Sequence, residues 1–215
     1  MEAVFDFALA RNATDIAAAA AEFAVPTQNI VFATRDGHIG YQAPGSIPVR
    51  ARVTDGPVPS DGSWPRPGWD PRYDWQGYVP AEEMPAVLDP PAGYVVAANQ
   101  AVTPAGTVPF LTTDWDAGYR AARIRAELDR AIAAGEPIDG AAASALQSDA
   151  SSPVAALLVP ALLAAPVQDA FTLEAVELLR TWDGVQSTDS AAAAYLAAVW
   201  ADLLEATFAD DLPQA

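Results

Sequence analysis

The chain has 215 residues, 52% of them hydrophobic, with 28 acidic against 11 basic side chains and a formal net charge of −17. That balance repels phosphate backbones and argues against nucleic-acid binding, and the lack of cysteine removes disulfides, thiolate catalysis and thiolate metal sites. No stretch reaches the roughly 18 unbroken apolar residues of a membrane span; the Ala-rich run from Ile16 to Ala24 is short and contains Glu22, so no membrane partner is expected. The acidic excess reads as a solubilising surface, with an extended acidic docking face as the alternative.

In chain order, Phe5 to Phe23 is predicted to be helical, with Asn12 or Thr14 as a cap and Pro26 as the stop. "NIVFATRDGHIGYQ" then reads as a β-hairpin. Ile30 and Phe32 share a face, Asp36-Gly37 supplies the turn, and Ile39 with Tyr41 resumes the alternation. From Pro44 to Pro109 the chain is punctuated by Pro and Gly. Trp64, Trp69, Tyr73, Trp75 and Tyr78 supply apolar area that disordered segments lack. A long ordered loop packed over a site is the expectation. Gly93 to Asn99, "GYVVAAN", reads as a buried strand ending on two amides, Asn99 and Gln100.

Beyond that point the pattern is helical. Ile124, Leu128 and Ile132 fall at i, i+4 and i+8, and Gly135 stops the segment. Four more helical segments follow, with Ser152 before Pro153 and Thr188 or Asp189 as N-caps. The fold class expected from this order is α+β, with a mostly helical C-terminal half.

Chemistry is sparse on this sequence. The one histidine, His38, sits beside the Asp-Gly turn and reads as an exposed turn residue. One His and no Cys exclude most zinc and iron sites, and neither a calcium loop, a dinucleotide fingerprint nor a Walker loop is present.

The ordered strings say more. "PTQNIVFATRDGHIGYQAPGSIPVR", "RPGWDPRYDWQGYVPAEEMPAVLDPPAGYVVAANQAV", "DWDAGYRAARIRAEL", "LQSD", "LLRTWDG" and "DSAAAAYLAAVW" together resemble the penicillin acylase (penicillin amidase) family of N-terminal-nucleophile amidohydrolases. The resemblance implies a four-layer αββα sandwich, of which this chain would hold part. Residues 1–120 would be the partial sheet region with the Pro/Trp-rich loop, and residues 121–215 a helical region of the large β chain. It implies cleavage of the amide bond of N-acylated small molecules such as β-lactams or acyl-homoserine lactones. The catalytic serine would be exposed by self-cleavage, with its own α-amino group as base; such a group has a reference pKa near neutrality, so no histidine is needed.

By the same resemblance Asn99 would donate its side-chain N–H to the tetrahedral oxyanion, whereas the residue alone reads as a strand-end turn cap. Arg120, in "DAGYRAARI", would orient the active centre; read alone, it is a surface residue at a helix start. Gln100 stands where many relatives have a second asparagine. Relatives also bind a structural calcium through an acid between the asparagine and the arginine. Asp114 sits too near Arg120 to match, so no cofactor is expected. No serine matches the nucleophile: Ser63, in "GSWPRPGW", lies within the aromatic loop and lacks a following Asn.

The chain is therefore expected to be an internal piece of the large chain, inactive alone. Its expected partners are the N-acyl substrate and the remaining acylase segments, and the resemblance implies a periplasmic or secreted setting although no signal peptide is read from Met1. The alternative is a non-catalytic domain that keeps the fold and binds a ligand or partner through the aromatic loop.

Overall fold

A computed structural model describes residues 2–212. The chain divides into two units, Met1–Ala121 and Ala122–Ala215.

In the first unit, α1 (Glu2–Leu9) and α2 (Ala13–Ala21) replace the single helix expected over Phe5–Phe23. Asn12 has extended backbone at φ −152°, and its Oδ1 accepts the Asp15 N–H at 2.9 Å. The Asp15 carboxylate in turn accepts the Arg11 N–H at 2.9 Å. This reciprocal capping satisfies the donors that a helix start leaves free, so the chain restarts at Asn12 rather than continuing. Phe23 lies beyond α2 and meets Phe7, ring centroids 6.0 Å apart. Ala3, Ala19 and Ala20 are buried.

The predicted hairpin is present. β1 (Ile30–Ala33) pairs antiparallel with β2 (Ile39–Gln42) from Ile30↔Gln42 to Ala33↔Ile39. Gly37 in the turn has φ +94°, which a side chain would resist. Gly40 faces Phe32, and a Cβ on Gly40 would lie 2.2 Å from the ring. A glycine is therefore needed for the ring to lie across β2. A separate two-stranded sheet joins β3 (Pro48–Arg50) to β4 (Trp75–Tyr78). β5 (Ala86–Leu88) pairs with the free side of β2, giving the order β1-β2-β5.

Two expectations fail in this unit. Trp64, Trp69, Trp75 and Tyr78 are 63, 88, 52 and 57% exposed, so they do not form an apolar cover over a site; of the five aromatics only Tyr73 is interior. The loop is ordered by polar contacts instead. The Tyr73 hydroxyl donates to the Val58 carbonyl at 2.9 Å, Arg66 donates to the Tyr73 carbonyl, and Arg72 forks between Asp70 and Asp55. Nor is Gly93–Asn99 a strand. Among the described residues no strand pairs with it.

The boundary between the units falls inside α3 (Tyr119–Ala134). α3 ends where expected: Gly135 takes φ +66°, its N–H donating to the Ile132 carbonyl and that of Glu136 to the Ala131 carbonyl. The four further helices are α4 (Gly140–Gln147), α5 (Pro153–Ala164), α6 (Ala170–Glu177) and α7 (Ala191–Phe208). Ser152 caps α5 with Pro153 in the first turn, as predicted. α7 is capped by Ser190, not by Thr188 or Asp189, because Ser190 is the residue whose Oγ reaches the Ala193 N–H, at 3.2 Å.

The core of this second unit is Ala155, Leu179, Ala192 and Leu196, with Leu158, Val159, Trp182 and Tyr195 packed against it. By length and composition alone α7 could cross a bilayer, with mean hydropathy 1.3 over 18 residues. It carries Asp202 and Glu205, however, and buries Ala192, Ala193 and Leu196 in the unit's interior. One such helix is weak evidence for a span.

Candidate active site

The two residues singled out by sequence, Asn99 and Arg120, meet within the first unit. Asn99 is in the left-handed region at φ +64°, a conformation that asparagine tolerates better than most residues. Its carbonyl accepts the Asp116 N–H at 2.9 Å, and Gln100 forms a parallel bridge with Asp116. Asp116-Ala117-Gly118 is a turn closed by the Asp116 carboxylate on the Gly118 N–H at 2.9 Å. That turn delivers Tyr119 and Arg120 as the first residues of α3.

One nitrogen, Arg120 Nη2, then serves three oxygens. It lies 3.0 Å from the Ala98 carbonyl, 3.0 Å from Asn99 Oδ1 and 3.3 Å from the Asp116 carboxylate. The Gly118 N–H first, and the guanidinium second, hold the Asp116 carboxyl below its ordinary range. A guanidinium has only donors, so the Asn99 amide must turn its oxygen toward Arg120. Its NH₂ is then the end left over, with no hydrogen bond to any described residue.

Asn99 is exposed and lines a cleft of about 760 Å³. The cleft walls include Val31, Ile47, Met84, Leu111 and Trp115, with Thr27, Gln28 and Thr112 as polar groups. A carboxamide N–H beside a cleft of mixed polar and apolar lining is a group that can hold a developing negative charge on a carbonyl oxygen.

The other candidates lie apart. Ser63 Oγ donates to Asp61 at 2.6 Å in a local turn and does not line the cleft. His38 is half-exposed in the hairpin turn, but it is not idle. Its Nδ1 lies 2.6 Å from Asp89, which also accepts the Ile39 N–H at 3.1 Å. Both Asp116 oxygens are engaged by Gly118 and Arg120, and among the described residues no cluster of three metal-ligating side chains exists.

Sequence reading overlooked Asp116. Its signal was available as an acid four residues before Arg120, followed at the second position by Gly, the spacing of a turn feeding a helix.

The penicillin amidase family model matches residues 1–215. The chain belongs to that family. Over 167 residues, 77% of this chain and 20% of the relative, it is 35% identical to penicillin acylase 2 proenzyme of Pseudomonas sp. strain SE83. Over 208 residues, 90% of this chain and 24% of the relative, it is 33% identical to the acyl-homoserine lactone acylase QuiP of Pseudomonas fluorescens strain Pf-5. In fold, the chain is similar to the thermostable penicillin G acylase of Alcaligenes faecalis, with a TM-score of 0.63 and 23% identity, over 87% of this chain and 32% of that one. The chain thus spans about a fifth to a quarter of the length of the curated relatives it matches.

Proposed function

We propose that these residues belong to the catalytic region of an amidohydrolase that cleaves the amide bond of N-acylated small molecules. The observation that supports it is the enforced direction of the Asn99 amide: Arg120 takes the oxygen at 3.0 Å, leaving the NH₂ beside the cleft. In this reading a serine outside these 215 residues attacks the substrate carbonyl, and its proton passes to the serine's own α-amino group. The carbonyl oxygen becomes an oxyanion and accepts an N–H from Asn99. Collapse expels the amine, which takes the proton, and water later releases the acyl group. Arg120 holds Asn99 and adds positive charge near the oxyanion.

The small sheets of the first unit would be part of the αββα sandwich of N-terminal-nucleophile hydrolases. The relatives' names suggest two substrate families, β-lactams and acyl-homoserine lactones. The test is turnover of a chromogenic phenylacetyl-anilide, and of an acyl-homoserine lactone, by the full-length protein that carries these residues. Asn99→Ala is expected to lower kcat by about a hundred- to a thousandfold, the usual effect of losing one oxyanion donor, with a much smaller change in KM. Unchanged kcat in Asn99→Ala would end the proposal.

A further inference from the structure

The segment leading to Asn99 has a conformation that calls for an explanation. Val95 to Ala98 run without regular secondary structure and, among the described residues, without a neighbouring strand. A stretch like this ordinarily has its N–H and C=O groups satisfied by a sheet or by water. Here two of them, the Ala98 N–H and the Val96 carbonyl, are met by one side chain. Gln100 Oε1 accepts the Ala98 N–H at 2.7 Å, and Gln100 Nε2 donates to the Val96 carbonyl at 2.7 Å. One carboxamide thus makes the pair of bonds that a residue on an adjacent strand would make. The backbone donor and acceptor also decide which end of the amide is oxygen and which is nitrogen.

This brace acts on the residue that matters. The chain passes from Ala98, which is buried, into the left-handed turn at Asn99 and then into Gln100. The Gln100 side chain reaches back over that turn to the two residues preceding it by two and by four positions. From the other side the turn is held by the Asp116 N–H on the Asn99 carbonyl and by Arg120 on the Ala98 carbonyl. Gln100 supplies the only side-chain bonds that any described residue makes to the backbone of Val96 and the Ala98 N–H.

We propose that Gln100 is the positioning residue for the Asn99 carboxamide, bracing the backbone before the turn so that the free NH₂ keeps one direction relative to the cleft. This rests on the reading of Asn99 as the oxyanion donor. Gln100 touches no reacting atom, and its effect is on the transition state through Asn99. Its loss should therefore lower kcat and leave KM nearly unchanged, because a misdirected donor weakens a bond made chiefly to the oxyanion.

The experiment uses the full-length protein with the phenylacetyl-anilide substrate. Gln100→Met keeps the length and removes both bonds. It is expected to lower kcat by about tenfold to a hundredfold, with KM within about twofold of the parent, the ordinary meaning of an effect confined to the transition state. Gln100→Glu keeps the acceptor for the Ala98 N–H but faces the Val96 carbonyl with a carboxylate, and only the protonated acid restores a donor. The ratio of its kcat to the parent's should rise as pH falls through the introduced carboxyl's titration, while the ratio for Gln100→Met stays flat. Asp116 and Arg120, the charged groups on the same frame, are common to parent and variants and cancel in the ratio. If Gln100→Met retains parental kcat while Asn99→Ala loses it, the brace is refuted and the oxyanion donor stands. A flat ratio for Gln100→Glu also refutes the brace. If Asn99→Ala keeps full activity, both fall together.

Discussion

At the scale of single residues, His38 shows how an ordinary turn residue becomes a fastener. The Asp89 carboxylate bonded to its Nδ1, with a lesser contribution from Asp36, raises the affinity of the ring for a proton, and the same bond lowers the Asp89 carboxyl. The sign follows from each shift. His38 holds its proton more tightly when folded, so its contribution is full below its unfolded value and disappears as pH rises through its folded one. Asp89 contributes above its unfolded value and loses that contribution as pH falls through its folded one. The clamp is therefore strongest in mildly acidic solution, between the ordinary ranges of a carboxyl and an imidazole. The Tm of the parent should fall on going from about pH 5.5 to pH 8 relative to that of Asp89→Asn. Asparagine suits the positive φ of 49° at position 89, so this variant removes the charge without straining the backbone. Coincident Tm profiles for the two proteins would show that the clamp contributes nothing.

Asn99 and Arg120 could be picked out from sequence because an ordered set of strings surrounds them. Their mutual contact could not, since it depends on the turn at Asp116 to Gly118 bringing position 120 back to position 98. Gln100 was legible as an amide and illegible as a brace. Its partners are backbone atoms, which have no letter in the sequence.

At the scale of elements, helices were easier to read than strands. The spacing of Ile124, Leu128 and Ile132 carries α3, and the hairpin announces itself through alternation about Asp36-Gly37. The segment at 93–99 has the apolar run of a strand, but a strand exists only with a partner, and a run of letters does not specify one. Asn12 was legible as a cap and is the N-cap of α2, but the separate helix before it was not, because the residues ahead of Asn12 are also helical by propensity and the capping pair overrides propensity at one point.

Two substitutions test the element-level account. Ser190→Ala removes the cap of α7 and should cost about 1 kcal/mol in denaturant unfolding, whereas Asp189→Ala should be nearly silent. Leu179, 1% exposed at the centre of the second unit's core, should cost about 2–5 kcal/mol on replacement by Ala. A loss below 1 kcal/mol at Leu179 would mean that this cluster is not the centre of the packing.

For the whole molecule the telling quantity is surface. The chain exposes 14817 Å², whereas two separate compact domains of about half its mass each would expose about 11,400 Å² together. The excess includes large apolar side chains: Trp69 and Val108 are each 88% exposed, and Phe171 is 83% exposed. On its own in solution the 215-residue chain should bind a hydrophobic dye and self-associate. A sedimentation profile of clean monomer without dye binding would contradict this. The −17 charge works in the other direction, delaying association at low salt, so added salt should promote it.

Most of the wall of the cleft and the donor beside it come from different parts of the chain. Residues 27–47, 84 and 102–115 shape most of the wall, with Ala97 and Asn99 at its edge, while 96–100 with 116–120 hold the amide. On the proposed reading, remodelling the container need not disturb the hook, so breadth of acyl preference and speed of turnover would be separate dials for an engineer.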